Sequence, residues 1–333
     1  MGKADVNVNI WLSEKKRFAN LFNGVIYGGR QVILPEDLVE VNSVSSVSVK
    51  NRAGKTKNMK RYRDIIMKWR NQATLVLLAN ESQGKVHYAM PHKVMLYDGM
   101  DYETQIRNNW KNFNDRRKQN KKAGQPLEHL TAGEYLSRFR KKDRLIPIIS
   151  LVFYYGSEPW DGPVDLYDMF QLEGTKEEKE ILEKYLPNYK INLVDAERLK
   201  DVEKFSDDLQ VILTMLRYRD SKEELTDYIN ENKKFFQNVD YETSQAMKAF
   251  LNMKQIPGEA EHKEEMIDMC KAIQEMYDDG VKDGIQQGVE QGRTELLKEQ
   301  IQRKLKKEKT PTQIAEELEE SVEVIEKIIK EMQ

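Results

Sequence analysis

Apolar positions along the chain follow two different periods. In "WLSEKKRFANLFN" (residues 11–23), Trp11, Phe18, Leu21 and Phe22 recur at helical spacing, with Ser13 placed to cap the helix. "GGRQVILPEDLVEVN" then supplies a glycine turn, a short apolar run and a helical turn opened by proline. The period drops to two in "SVSSVSVKNRAG", which predicts a strand ending at a basic turn. "MKRYRDIIMKW" carries Ile65, Ile66, Met67 and Trp69 and predicts a second strand. After the short turn at 70–73, "ATLVLLANESQ" is apolar almost to its end, as expected of a central strand buried on both faces.

Beyond Pro91, a helix start at its first position, Val94, Tyr97, Asp98, Met100, Ile106 and Trp110 mark a long helix. "NDRRKQNKKAGQP" (114–126) reads as a polar, basic loop, and "LIPIISLVFYYGSEPWDGP" holds a buried strand over 146–155. Strands alternating with helices predict an α/β fold, a mixed central sheet flanked by helices. From about 173 the chain reads as mostly helical and highly charged, which divides it into 1–172, 173–269 and 270–333. Near the end Gly280, Gly284, Gly288 and Gly292 recur every fourth residue beside Val281, Ile285 and Val289. Such a segment is either a close-packed helix pair, a candidate surface for a homo-oligomer, or simply a weak helix. "KTPTQIAEELEESVEVIEKIIKEM" predicts two short amphipathic helices, capped by Thr310 and Ser321, with Pro311 opening the first. Seven Glu against two Lys over 310–333 favour a protein contact over DNA reading.

Charge sharpens this picture. The net charge is −2, but residues 1–150 hold 28 Lys and Arg against 14 Asp and Glu, a balance of +14. Such a division points to a basic surface for a polyanion. Basic residues concentrate at 50–63, 107–122 and 138–144. A single Cys270 excludes an internal disulfide, and His87, His92, His129 and His262 have no metal-ligand spacing. With no apolar run long enough to span a bilayer and no secretory core at the N-terminus, a cytoplasmic protein without membrane association is expected.

Candidate chemistry sits where the apolar strand ends. Glu81 and Gln83, two apart, project to one side of that strand, and Asp64 on the neighbouring strand could reach the same spot. Two converging carboxylates repel unless a cation joins them, and Mg²⁺ takes oxygen ligands of this kind. Such an ion activates water and stabilises charge on a phosphoryl group. The alternative is two strand-end acids in separate ion pairs.

"RYRD" with Arg63 and Asp64, "ESQ" (81–83), "MPHK" (90–93), Tyr97 and "LVFYYGSEPWDGP" (151–163) resemble, in order and spacing, the recombination-promoting nuclease (Rpn), or YhgA-like transposase, group of the PD-(D/E)XK superfamily. The likeness covers roughly 10–170 and again 270–333. It implies a restriction-endonuclease-like core and DNA cleavage dependent on Mg²⁺ or Mn²⁺, with Asp64 and Glu81 as ligands and Gln83 in place of the usual lysine. Lys60, Arg61, Arg63 and Lys93 would contact the DNA backbone. "FANLFN" puts Asn20 where related chains often carry an acid, leaving Glu14 as the auxiliary metal ligand. The rival reading is a nuclease fold that has lost catalysis and acts as a DNA-binding or assembly module.

Overall fold

The structure, a computed structural model, describes residues 3–41, 44–50, 56–62, 65–70, 73–79, 86–253, 255–256 and 266–332, with backbone alone for 3–5, 44–50, 56–62, 77–79, 279 and 283. The chain divides into two units, Met1–Ile267 and Asp268–Gln333.

The first unit is built on a five-stranded sheet of order β1-β4-β5-β6-β7. Its strands are β1 (Leu38–Glu40), β4 (Ile65–Trp69), β5 (Ala73–Ala79), β6 (Ile148–Tyr154) and β7 (Asn192–Asp195). β1 and β4, and β4 and β5, pair antiparallel, whereas β5–β6 and β6–β7 pair parallel. The mixed α/β architecture and the central place of β5 agree with the apolar pattern of 73–79. A separate antiparallel hairpin joins β2 (Val44–Lys50) to β3 (Thr56–Tyr62). The run 59–69 is therefore two strands in two sheets.

α1 (Lys3–Ser13) and α2 (Lys15–Tyr27) replace the single expected helix. Ser13 closes α1, its hydroxyl donating to the Ile10 carbonyl at 2.7 Å, and Glu14 stands at the N-cap of α2 without a side-chain bond. The expected cap at Ser13 is thus a helix end. α3 (Met90–Lys122) starts at Pro91 as expected but runs 33 residues, absorbing the predicted loop up to Lys122. Arg, Lys and Gln are good helix formers, nothing breaks the run before Gly124, and Lys121 and Lys122 suit the negative end of the helix dipole.

Side chains of β6 alternate between two helical layers. Val152 joins Ile66, Val76, Met90, Val94 and Tyr97 in the cluster beneath α3. Phe153 lies on the other face, where its neighbour Tyr155 meets Phe250 of α9 (Tyr241–Phe250) edge-on at 5.4 Å, and Phe250 meets Trp11 at 5.7 Å. Trp11, Phe18, Phe22 and Phe153 have no exposed surface. Each such side chain contributes roughly 1.5–3 kcal/mol of burial.

After the six-residue α4 (Ala132–Ser137), the unit continues through α5 (Lys176–Glu183), α6 (Asp207–Arg217), α7 (Lys222–Glu231) and α8 (Lys233–Phe236). Between them β7 adds the outer strand, so the stretch expected to be helical completes the sheet. At four residues it is too short to show a period.

In the second unit, α10 (Met269–Leu305) carries the four periodic glycines, and Val281, Ile285 and Val289 are exposed. α11 (Pro311–Leu318) and α12 (Val322–Glu331) form around Ile301, Ile314, Ile325 and Ile328. Thr310 and Ser321 cap them as predicted, Thr310 in a reciprocal pair with Gln313.

Candidate active site

The register of the sheet fixes which strand ends meet. Ile65, the first residue of β4, is the partner of Leu77, and Ala79 at the end of β5 is the partner of Phe153. Tyr154 in turn faces Asp195, the last residue of β7. The start of β4 and the ends of β5, β6 and β7 therefore form one rim. Asp64 immediately precedes β4, and Glu81 and Gln83 follow β5 by two and four residues. Those three residues and Arg63 lie outside the described residues, as do the side chains of Lys60 and Arg61 on β3. Among the described residues no three His, Cys, Asp or Glu side chains form a metal-binding group.

The rim is braced by the loop after β6. The Tyr154 hydroxyl donates to the Glu158 carbonyl at 2.6 Å, and its ring meets Trp160 edge-on at 5.3 Å. Trp160 donates to the Gly162 carbonyl at 2.8 Å. A β-carbon on Gly162 would lie 2.6 Å from the Val86 side chain, so any larger residue would push the two segments apart. The Tyr88 hydroxyl donates to Asp161 at 3.0 Å. The Tyr-x-Gly and Pro-Trp features thus serve structure: they hold residues 86–88, the link between the end of β5 and α3.

α3 brings Lys93 to the same rim. Asp98 accepts from Ser150 at 2.8 Å, and Gln105 donates to the Ile146 carbonyl at 3.0 Å, so the helix runs back along β6 towards that strand's start. Its first turn consequently lies by the strand's end. Lys93 is half-buried there, its ammonium 5.8 Å from the centroid of the Tyr97 ring.

Glu14 is engaged by Arg17. Its carboxylate is 2.9 Å from Arg17, a buried guanidinium that also pairs with Asp208 and Asp240 and donates to Thr243 at 3.0 Å. Asn20, 5% exposed, donates to the Ser206 carbonyl at 2.7 Å and accepts from the Ser206 amide at 3.2 Å. Arg17, steadied by Glu14, and Asn20 thus attach α2 to α6 and α9.

Three polar centres were not singled out by the sequence. Asp98 is buried beneath α3, accepting from both Ser150 and Tyr189. Its position four residues after Val94, on an otherwise apolar face, was the available signal. Arg17 is the second. Arg219 pairs with Glu197 and donates to the Tyr155 carbonyl at 2.8 Å, beside Arg198, which reaches the Ser157 carbonyl at 2.5 Å. Burial pushes the Glu197 carboxyl above its ordinary value, against the pull of Arg219 and Arg198.

The basic runs differ in how much charge they leave free. Over 138–144, Arg140 pairs with Asp143 and Glu128, and Lys142 with Glu128, so two of the five cations of that run are neutralised. Arg140 holds the Asp143 carboxyl below its usual range. Over 107–122, Arg107 pairs with Glu103 and Lys118 with Asp115, while Lys111, Arg117 and Lys121 have no ion-pair partner among the described residues.

Residues 130–247 match the family described as "Putative transposase, YhgA-like". The matched stretch includes β6, β7 and the Tyr154–Trp160 loop and begins after Asp64, Glu81 and Lys93. No curated protein and no solved structure matches the chain. Among the described residues no helix is long and apolar enough to cross a membrane.

Proposed function

We propose that this protein is a metal-dependent DNA endonuclease of the recombination-promoting, transposase-like type. Asp64 and Glu81 would hold Mg²⁺ or Mn²⁺, Gln83 would orient water or a phosphate oxygen, and Lys60, Arg61, Arg63 and Lys93 would engage the DNA backbone. The ion's chemistry is activation of a water for in-line attack on phosphorus. The observation that carries this reading is the register of Ile65 with Leu77, which brings together the strand ends adjoining Asp64 and Glu81. The family match over 130–247 supports it.

The test is plasmid nicking by the purified full chain with Mg²⁺ or Mn²⁺, run beside Asp64→Ala and Glu81→Ala. Nicking by the wild type alone is expected. Equal nicking by either variant would show that another protein or another site cleaves the DNA.

A second reading, a DNA-binding protein without catalysis, is favoured by one observation. Glu14 and Asn20, the two positions on or before α2 that could supply a further ligand, are bound to Arg17 and Ser206. Salt-sensitive DNA binding with no cleavage under any divalent ion would select it.

A further inference from the structure

We propose that the groove between the distal half of α3 and α4 binds single-stranded nucleic acid, separately from the candidate catalytic rim. The groove encloses about 500 Å³ and is lined by Trp110, Lys111, Asn114, Lys118, Ser137 and Arg138. It continues past Arg117 and Lys121 along the same helix. Trp110, Asn114 and Arg138 also line an adjoining recess bordered by Tyr135. Trp110 lies against Phe113 at 5.6 Å and meets Tyr135 edge-on at 6.1 Å, and Tyr135 is 67% exposed.

The chemistry of the rim selects the occupant. Glu103 and Asp115 also border the groove, but they pair with Arg107 and Lys118. Lys111, Arg117, Lys121 and Arg138 have no ion-pair partner among the described residues. Unpaired cations around the half-buried Trp110 and the exposed Tyr135 suit a chain that offers both phosphates and free π-faces. A duplex offers the phosphates, but its bases are stacked on one another and cannot reach Trp110 or Tyr135. A single strand offers both. An ordinary protein interface would be poorer in lysine at such a centre.

The wall is also held in place before any ligand arrives. Thr131 and Glu134 cap α4 reciprocally, and the Glu134 carboxylate further accepts from the Lys141 amide at 3.0 Å. Arg138 ends α4 with φ of 55°, a left-handed conformation that costs an L-residue roughly 1–2 kcal/mol and that glycine would adopt freely. The conformation turns the chain at the mouth of the groove while keeping a guanidinium there.

Trp110 lies 17 residues beyond Lys93 on one continuous helix, about 25 Å along its axis. A strand seated in the groove is therefore remote from the rim where cleavage is proposed. The groove is a second contact for nucleic acid, and it needs neither Asp64 nor Glu81.

The test uses the full chain in EDTA with a fluorescein-labelled oligothymidylate, read by anisotropy and by quenching of tryptophan emission. Binding with quenching is expected, with Tyr135→Ala weakening it about five- to a hundredfold. Arg138→Ala and Lys111→Ala should each weaken it and flatten the salt dependence by roughly 0.7 in log–log slope. Tyr135 and Arg138 are exposed, so these variants should keep the wild-type melting temperature. Wild-type affinity in Tyr135→Ala and Arg138→Ala together would overturn the proposal. So would a blunt duplex binding as tightly with the same quenching, or displacement of the oligonucleotide by an equal concentration of polyglutamate, which would mark an acidic-peptide site. Because no metal is present, failure here would leave the proposed cleavage untouched, and failure of plasmid nicking would leave this groove standing.

Discussion

Asn20 and Ser206 exchange two hydrogen bonds, the amide nitrogen of Asn20 donating to the Ser206 carbonyl and its oxygen accepting from the Ser206 N–H. Only a side chain with a donor and an acceptor on one carbon can do both. Asn20→Asp should therefore destabilise the protein by about 1–3 kcal/mol, because a buried carbonyl would face a carboxylate. Urea denaturation at neutral pH measures this, and the loss should shrink as the pH falls and the new acid is protonated. An unchanged midpoint would show that the pair contributes little. If the acid instead served an ion, the same variant would gain stability on adding Mn²⁺.

A metal held by two carboxylates binds the folded chain and should raise its melting temperature by mass action. Mn²⁺ in millimolar excess is expected to shift the unfolding of the wild type upward and to leave Glu81→Gln unmoved. Equal shifts in both would place the ion elsewhere.

Arg219 and Glu197 are both largely shielded from water, with side chains 7% and 9% exposed. Arg219→Met leaves Glu197 with Arg198 alone, 3.3 Å away, and takes a donor from the Tyr155 carbonyl, so it should cost about 1.5–3 kcal/mol, part of which an added Glu197→Leu should recover. The pH dependence follows from the raised Glu197 carboxyl. Between the unfolded value near 4.5 and the higher folded value, the native state holds a proton that the unfolded chain releases, so stability falls as pH rises through that window. Losing Arg219 extends the window upward. Thermal melts from pH 4 to 8 should show a steeper decline for Arg219→Met than for the wild type.

In the second unit, Glu317 accepts from both Lys304 and Lys309, which hold its carboxyl down to about 2. A depressed carboxyl contributes stability above its unfolded value of about 4.5 and loses it as pH falls towards about 2. Glu317→Gln should abolish that part of the acid dependence, seen as converging melting curves for variant and wild type at the acid end. The pair is at the surface, so molar salt should narrow the difference at neutral pH.

Local rules were legible in the sequence where one residue type has one physical use. Pro311 behind Thr310 and the cap at Ser321 were read correctly, as were Pro91 at the start of α3 and β5 as the central strand. Errors arose where local signals compete. Ser13 can cap a helix or close one, and the packing of Trp11 against Phe250 selects the second. A basic run can be loop or helix, and α3 shows that propensity prevails in the absence of a breaker. Pairings such as Asn20 with Ser206, 186 residues apart, leave no local trace. Of the candidate site, the order of the strands that adjoin Asp64 and Glu81 was readable, because hydrophobic runs report sheet position. The part played by Glu14 was not, since Arg17, three residues on, is fixed by Asp208 and Asp240 from two distant segments.

Among the described residues β7 is the last strand to be synthesised, nearly forty positions after β6, and it carries the outermost hydrogen bonds of the parallel half. A polypeptide cut or stalled anywhere between Tyr154 and Asn192 would present β6 with one flank of amides and carbonyls bare, a template for aggregation. Residues 192–195 are therefore a seal as well as a strand: until they have emerged, β6 keeps an adhesive seam.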